Sequence, residues 1–231
     1  MNATRHTEEA TRPVRVTAGR VTLEGDLGLP DGARGLVLFA HGSGSSRHSP
    51  RNRFVARALR EGGLATLLID LLTPDEEAID LRTAHLRFDI GLLAERLVGA
   101  TDWLAQQPET RSLRVGYFGA STGGGAALVA AAERPEAIGA VVSRGGRPDL
   151  AGPALPRVQA PTLLIVGGND YPVIDMNRDA MAQMRAPVEL RIVPGASHLF
   201  EEPGALEEVA RLARDWFERH LAPIAVGQPA R

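Results

Sequence analysis

The sequence predicts one domain of the α/β class, built on a mostly parallel, doubly wound sheet of about seven to eight strands with helices on both faces. Short uninterrupted apolar runs alternate with segments of helical composition from residue 36 to residue 220. Strands that are buried on both faces have this appearance, and the helices that cross between them make neighbouring strands parallel. A length of 231 residues with 44% hydrophobic content suits a single substantial core.

The elements can be assigned in chain order. Residues 14–17 and 21–29 are β-type segments, which predict an antiparallel pair at one edge of the sheet. Apolar runs predict further strands at residues 36–40, 65–71, 114–118, 137–143, 162–166 and 188–193. Helical patterns predict helices at residues 51–61, 83–107, 126–132, 176–184 and 206–220. We therefore expect the domain to span residues 13–222, with a flexible tail at residues 1–12 and another at 223–231.

The charged residues of the chain exclude several classes of chemistry. All 26 basic residues are arginine, and 28 acidic residues bring the net charge to −2 without forming a basic stripe, so we expect no nucleic-acid partner. The absence of lysine excludes Schiff-base and phosphate-loop lysines, and the absence of cysteine excludes thiol nucleophiles, disulfides and cysteine-bound zinc. The polar N-terminus lacks a signal-peptide core, and no apolar run reaches the length of a membrane span. We expect a cytoplasmic protein without a membrane partner.

A serine between two glycines is the first candidate for chemistry. Gly119-Ala120-Ser121-Thr122-Gly123 lies between an apolar run and an alanine-rich helical segment. The glycines allow a strained strand-to-helix turn, because no Cβ obstructs the approach of neighbouring backbone. Chance matches to this glycine-serine-glycine pattern are common in a chain with 25 glycines, so the strand-turn-helix setting is the stronger evidence for a functional serine. The pattern predicts that Ser121 is exposed at the sheet edge as a nucleophile.

Two further residues follow strands at the same edge. Ligands of such sheets bind beyond the carboxyl ends of the strands, and Asp170 follows one predicted strand while His198 follows the next. The imidazole can take the proton of Ser121, and the carboxylate can hold the imidazole in one tautomer. We therefore predict a catalytic triad of Ser121, Asp170 and His198. Asp175 is the alternative carboxylate, and a simple turn is the alternative role for Asp170.

The segment His41-Gly42-Ser43-Gly44 follows the strand at residues 36–40. A glycine-rich loop can turn a backbone amide toward the neighbouring serine, so we expect the amide of Ser43 to form an oxyanion hole together with the amide of Thr122. The alternative is a flexible glycine-serine loop.

Together with Gly167-Gly168-Asn169-Asp170 and Gly195-Ala196-Ser197-His198, these segments resemble the α/β-hydrolases of the dienelactone-hydrolase-like group. The chain order Ser, Asp, His is also that of this class. The resemblance covers the chain from about Val14 to Leu221 and implies the α/β-hydrolase fold, a hydrolytic triad and carboxylic-ester substrates. Dienelactone hydrolases proper use cysteine as the nucleophile, so Ser121 points toward general carboxylesterase activity. This chemistry needs no metal or organic cofactor.

The connection over residues 144–160 is too short for a helical cap, so we expect an open site for small or short-acyl esters. Apolar and aromatic residues near the predicted strand ends are candidates to line it, with ordinary core packing as the alternative: Leu71, Leu72, Tyr171, Val173, Leu199 and Phe200. Arginines at the same edge suggest a substrate that bears a carboxylate, with surface salt bridges as the alternative. They are Arg47, Arg51, Arg53, Arg144 and Arg147.

The leading hypothesis is a serine esterase that cleaves small carboxylic esters through an acyl-enzyme on Ser121. Thioesterase, lactone hydrolase and perhydrolase or haloperoxidase-like activities would use the same triad. An alternative from another class is a non-catalytic binding or accessory module with a hydrolase-like fold. The sequence does not distinguish a monomer from a homodimer.

Overall fold

Eight strands form one sheet in the computed structural model of the protein, which describes residues 11–222. In chain order they are β1 (Arg12–Ala18), β2 (Val21–Gly28), β3 (Leu36–Ala40), β4 (Ala65–Ile69), β5 (Val115–Ala120), β6 (Ile138–Arg144), β7 (Thr162–Gly167) and β8 (Val188–Val193). Their order across the sheet is β1-β2-β4-β3-β5-β6-β7-β8. Strand β2 pairs antiparallel with both β1 and β4, and the remaining neighbours pair parallel. The predicted fold class, with its antiparallel pair at one edge, is confirmed.

Six α-helices connect or follow these strands. They are α1 (Pro50–Glu61), α2 (Pro74–Thr83), α3 (Ile90–Leu104), α4 (Thr122–Glu133), α5 (Tyr171–Gln183) and α6 (Ala205–Leu221). Two 3-10 segments, Leu86–Phe88 and Pro148–Arg157, complete the connections. Helices α1 and α6 cover one face of the sheet, and α3, α4 and α5 cover the other.

The two faces explain why the central strands are apolar without interruption. Successive side chains of a strand point to opposite faces. All five residues of β3 are buried: Leu38 lies in the core beneath α3 and α4, and Phe39 lies in the core beneath α1 and α6. On that second face Phe39 packs against Phe118 of β5, with ring centroids 4.9 Å apart. Both cores therefore hold the centre of the sheet rigid at the strands that end beside the candidate site.

The helix predicted over residues 83–107 is shorter in the structure, where α3 begins at Ile90 and ends at Leu104, and a further helix that was not predicted, α2, precedes it. Thr73 and Glu76 form a reciprocal capping box that begins α2, and Ala84, with φ of 53°, ends it. Asp89 then begins α3 by accepting a hydrogen bond from the N–H of Leu92. Helix α5 also begins earlier than expected, so that Asp170 immediately precedes it.

The connection between β6 and β7 holds only the 3-10 segment Pro148–Arg157, so no cap domain is inserted there. Across residues 11–222, no helix combines the length and the apolar character that a membrane crossing requires. The predicted tail at residues 1–12 falls mostly outside the described residues, although Arg12 already belongs to β1. The tail predicted at residues 223–231 lies outside them entirely.

Candidate active site

Ser121 lies in the turn between β5 and α4 with φ of 51° and ψ of −121°, a conformation that few non-glycine residues adopt. Its N–H donates to the carbonyl oxygen of Arg144 at 3.2 Å, and its own carbonyl oxygen accepts from the N–H of Arg147 at 3.0 Å. Hydrogen bonds from the neighbouring strand and loop therefore hold the strained residue in place. Such strain marks functional positions and requires support of this kind.

The glycines around Ser121 are required by close backbone contacts. A Cβ on Gly119 would lie 2.6 Å from the Cα of Gly124. A Cβ on Gly123 would lie 2.6 Å from the carbonyl oxygen of His41 in the loop after β3. Real Cβ atoms do not approach this closely, so strand, helix and loop can meet at Ser121 only without these side chains.

His198 and Asp170 are joined by a short contact. Nδ1 of His198 lies 2.6 Å from Oδ2 of Asp170, and the Asp170 side chain is only 13% exposed. Because Nδ1 is engaged, Nε2 is the ring nitrogen left for a serine hydroxyl. The alternative carboxylate, Asp175, pairs instead with Arg178 on the surface of α5 at 3.4 Å. Of the two candidate carboxylates, Asp170 is the one that the histidine contacts.

The His198 ring lies over the end of β6, which supports Ser121. A Cβ on Gly145 would lie 3.5 Å from Cε1 of His198, and Gly145 directly follows the residue whose carbonyl holds the Ser121 amide. The Ser121 hydroxyl makes no hydrogen bond to any part of the chain that the structure describes. Hydrogen bonds between nucleophile and base are often long without substrate and tighten when it binds. The backbone thus brings the three predicted residues to one edge of the sheet.

The loop that carries His198 depends on a residue that the sequence analysis did not identify. The Glu202 carboxylate accepts a hydrogen bond from the N–H of Ser197 at 3.0 Å, and this bond lowers the pKa of Glu202. The carbonyl of Glu202 accepts from the N–H of Ala205 at the start of α6. Glu202 therefore links the histidine loop to the following helix. A carboxylate shortly before a helix was its only signal in the sequence.

The two predicted oxyanion donors lie together, but one of them is already engaged. The N–H of Ser43 donates to Oγ1 of Thr122 at 2.9 Å. Thr122 is the first residue of α4, so its own N–H has no partner inside the helix. The Ser43 amide is therefore not free in this structure, because its N–H donates to the Thr122 side chain.

His41 anchors the loop that carries Ser43. The N–H of Leu71 donates to Nε2 of His41 at 3.1 Å, so Nδ1 must carry the proton and donate to the carbonyl oxygen of Gly42 at 2.9 Å. Burial lowers the pKa of His41, consistent with this neutral form. The histidine thus joins the loop after β3 to the loop after β4. Sequence reasoning treated it as part of a glycine-rich segment and missed this role.

Four of the five candidate arginines pair with carboxylates. Arg47 contacts Asp70 and also Glu24, the latter at 2.8 Å, and its backbone N–H donates to Asp70 as well. The other pairs are Arg51 with Glu201, Arg53 with Asp26 and Arg147 with Asp149, at 3.3, 3.3 and 2.7 Å. The alternative of surface salt bridges therefore accounts for these four arginines.

Arg144 differs from the others because its guanidinium is buried without a carboxylate. The residue is only 6% exposed, and its Nη2 lies 3.4 Å from Oδ1 of Asn52. Its Nε has no hydrogen-bond partner, and no acidic side chain between residues 11 and 222 pairs with it. Burial, together with the nearby charge of Arg51, lowers the pKa of Arg144 to about 10. The guanidinium also lies 5.8 Å from the centre of the Phe200 ring.

A cavity of about 150 Å³ adjoins the oxyanion loop. Ser43, Thr122 and Leu72 are among the residues that line it. Helix α2 and the 3-10 segment after it contribute Leu81 and Arg87 to the lining, so these elements cover part of this side of the site. This contribution of α2 to the lining was not predicted, because the helix itself was not predicted.

Of the other candidate lining residues, Leu71 alone belongs to the lining of this cavity. Leu71 touches it only from within the core, and Val173 and Phe200 are also buried, so core packing explains these three. Tyr171 and Leu199 are 69% and 41% exposed and lie outside the lining of the cavity. Of the predicted substrate-binding residues, Leu72 is the one that clearly lines it.

Comparisons with known proteins agree with this fold. The sequence model of the dienelactone hydrolase family matches residues 30–223. The crystal structure of a dienelactone hydrolase from Anabaena variabilis is 68% identical, covers 93% of this chain and all of its own, and superposes with a TM-score of 0.91. Est1E from Butyrivibrio proteoclasticus, at 16% identity, covers 90% of this chain and 98% of its own with a TM-score of 0.75, and shows the fold alone.

Two curated relatives come from strains of Mycobacterium tuberculosis and are provisionally named phosphoribosyl transferases. Each is 61% identical over 208 residues, which is 90% of this chain. The same match covers 46% of each relative, so the chain spans about half the length of these proteins.

Proposed function

The chain belongs to the dienelactone hydrolase family, and from this premise we propose that it is a serine hydrolase that cleaves small carboxylic esters through an acyl-enzyme on Ser121. The observation that carries the proposal is the 2.6 Å contact of His198 with Asp170 beside the strained Ser121 turn. A strained serine, a histidine and a buried carboxylate at one sheet edge are the parts that acyl transfer needs.

The proposed reaction has two halves. Nε2 of His198 takes the hydroxyl proton while Oγ of Ser121 attacks the acyl carbon, and Asp170 stabilises the imidazolium that forms. The oxyanion of the tetrahedral intermediate accepts hydrogen bonds at the start of α4, from Thr122. His198 then protonates the leaving alcohol, and a water molecule repeats the sequence on the acyl-enzyme to release the acid.

The cavity supports a small acyl group. Its volume of about 150 Å³ is below the roughly 300–1,000 Å³ of pockets for drug-sized ligands. Leu72 and Leu81 supply apolar contacts, and the cover by α2 limits the length of chain that can enter. These features favour short acyl chains over long lipids.

Arg144 supports a substrate that also bears a carboxylate. A buried cation without a counter-ion is costly, and the four neighbouring arginines already have their carboxylates. We propose that the substrate supplies the missing charge. A thioester or a lactone would fit the same machinery, because the triad does not select the leaving group.

The name phosphoribosyl transferase, given to the curated relatives, is not a basis for the function proposed for this chain. It describes whole proteins, of which the chain matches 46%. The remainder of each relative lies outside the match. A non-catalytic accessory role remains the competing function from another class.

Reaction with a fluorophosphonate probe, followed by mapping of the labelled peptide, tests the proposal. We expect one adduct on Ser121, hydrolysis of p-nitrophenyl acetate by the wild type, and loss of both in Ser121→Ala. Ser112→Ala, which changes an exposed serine far from the site, should behave as the wild type. Full labelling of Ser121→Ala contradicts the proposal, because another residue then reacts with the probe. An unlabelled and inactive wild type also contradicts it and favours the accessory module. A parallel panel of thioesters and lactones identifies the leaving group.

A further inference from the structure

The hydrogen bond between Ser43 and Thr122 changes how the oxyanion can be bound. An amide N–H has one proton, and that of Ser43 is directed at Oγ1 of Thr122 at 2.9 Å. Thr122 is buried, and both residues line the cavity described above. The Ser43 amide therefore cannot donate to a substrate while this bond persists.

The Thr122 hydroxyl has an unused proton. A hydroxyl donates one hydrogen bond and can accept two. Oγ1 of Thr122 accepts from Ser43 and makes no other hydrogen bond to residues 11–222. An unsatisfied donor in a buried position is costly, so its partner is expected to enter from the cavity that the side chain lines.

The position of this hydroxyl suits an oxyanion. Thr122 directly follows Ser121 and begins α4, so its backbone N–H is free and the positive end of the helix dipole lies beside it. A hydrogen bond from the Ser43 amide polarises the hydroxyl and makes it a stronger donor. The N–H and the side chain of one residue can then meet the same oxygen.

We propose that the Thr122 hydroxyl is a catalytic oxyanion donor, which acts together with the Thr122 amide, and that Ser43 is a positioning residue that orients this hydroxyl. The inference rests on the proposed serine hydrolase function. As Oγ of Ser121 bonds to the acyl carbon, the carbonyl π electrons move to oxygen, and the Thr122 hydroxyl donates a hydrogen bond to that oxygen without transferring its proton. When the carbonyl re-forms, the hydrogen bond weakens.

A different role for the same contact makes the opposite prediction. If the Thr122 hydroxyl only occupies the Ser43 amide until substrate displaces it, its removal frees a donor, and the rate stays the same or rises. If the hydroxyl is itself a donor, its removal lowers the rate of the chemical step.

Thr122→Val and Thr122→Ser distinguish these roles. Valine keeps the branched shape without the hydroxyl, and serine keeps the hydroxyl. With p-nitrophenyl acetate we expect kcat of Thr122→Val to fall by roughly 100-fold, the usual effect of losing one oxyanion donor, with KM little changed. Thr122→Ser should retain kcat within about threefold. A trifluoromethyl ketone, which forms a tetrahedral adduct with the serine, should bind Thr122→Val more weakly by the same factor as the loss in kcat.

The outcomes separate this inference from the proposed function. An active wild type whose Thr122→Val variant is equally active or faster overturns the hydroxyl donor alone. Equal losses in the valine and serine variants also overturn it, because they indicate a packing defect. If Thr122→Val does not fold by circular dichroism, the comparison of Thr122→Ala with Thr122→Ser takes its place. A wild type that neither hydrolyses esters nor forms the ketone adduct overturns both proposals.

Discussion

Nε2 of His41 accepts a hydrogen bond from the backbone N–H of Leu71 at 3.1 Å, and this contact fixes the position of the loop that carries Ser43. Since the acceptor nitrogen must be unprotonated, the ring is neutral, with its proton on Nδ1 donated to Gly42. Protonation of Nε2 would replace an acceptor by a donor that faces the Leu71 amide. The loop is therefore sensitive to acid at this residue.

The stability contributed by His41 should depend on pH. Burial lowers its pKa below the ordinary value of 6.5, so the unfolded chain takes up the proton first as the pH falls. The contribution of His41 to stability is complete above pH 6.5 and is lost as the pH falls from 6.5 toward the folded-state pKa. In urea unfolding, the stability advantage of the wild type over His41→Gln should shrink between about pH 8 and about pH 5.5. A constant difference across this range would show that His41 does not titrate as inferred.

Asp170→Asn should reduce kcat by roughly 10⁴-fold with little change in KM, because the amide favours the wrong tautomer of His198 and cannot stabilise the imidazolium. Ester hydrolysis under steady-state conditions measures both constants. Asp175→Asn is the matched control, since Asp175 pairs with Arg178 on the surface and should leave kcat unchanged. If the Asp175 variant loses activity and the Asp170 variant retains it, the carboxylates have been assigned the wrong way round.

Gly123→Ala should destabilise the protein by about 1–3 kcal/mol and abolish activity, because the new Cβ overlaps the backbone of Ala40 and His41. Thermal unfolding and ester hydrolysis measure the two effects. Gly91→Ala is the control, because Gly91 lies in α3 and a Cβ there would meet only the Asp89 carboxylate, at 3.5 Å. That change should be neutral or slightly stabilising, since alanine favours helix. A fully active Gly123→Ala variant would mean that the turn at Ser121 can relax.

Glu202→Ala should lower kcat by roughly tenfold, because the Ser197 amide loses its acceptor and the His198 loop moves. Glu207→Ala, a change in the exposed first turn of α6, should leave kcat as it is. The lowered pKa of Glu202 adds a test by pH. The Glu202 carboxylate contributes to the stability of the fold at pH values above its ordinary pKa of 4.5, and this contribution is lost as the pH falls through the lower folded-state pKa. Glu202→Ala should lack this loss of stability in acid. Identical kcat values in the wild type and Glu202→Ala would show that Glu202 does not position the His198 loop.

Arg144→Gln should reduce kcat/KM for monomethyl esters of dicarboxylic acids, malonate through adipate, by at least roughly tenfold while the matching dimethyl esters lose little. The selectivity between the two series is the measured quantity, so a general loss of activity cancels. Arg53→Gln serves as the control, because Arg53 already pairs with Asp26 at the surface. Equal losses for acid and neutral esters would show that Arg144 supports Phe200 and the histidine loop and does not bind substrate.

Much of the site could be predicted because of a property of parallel sheets. Apolar runs identify strands that are buried on both faces, and the carboxyl ends of parallel strands meet at one edge. Ser121 and Asp170 each follow such a strand, and His198 follows the parallel edge strand β8, so their proximity could be predicted from chain order. Helix α2 was missed for the opposite reason: its burial pattern is weak, and the capping residues Thr73 and Asp89 that delimit α2 and α3 act locally, without periodicity.

The fold class, the strand-turn-helix at Ser121 and the chain order of the three residues could be predicted from the amino-acid sequence, since they depend on local patterns of hydrophobicity and glycine. Which polar groups already have hydrogen-bond or charge partners, in contrast, is visible only in the folded structure. Ser43 donates to Thr122, which lies 79 residues further along the chain, and Arg144 contacts Asn52, 92 residues away. Among residues 11–222, Arg144 has no carboxylate partner. Such partners are selected by packing in three dimensions, where a hydrogen bond or charge pair depends on distances of a few ångströms that no local sequence pattern encodes.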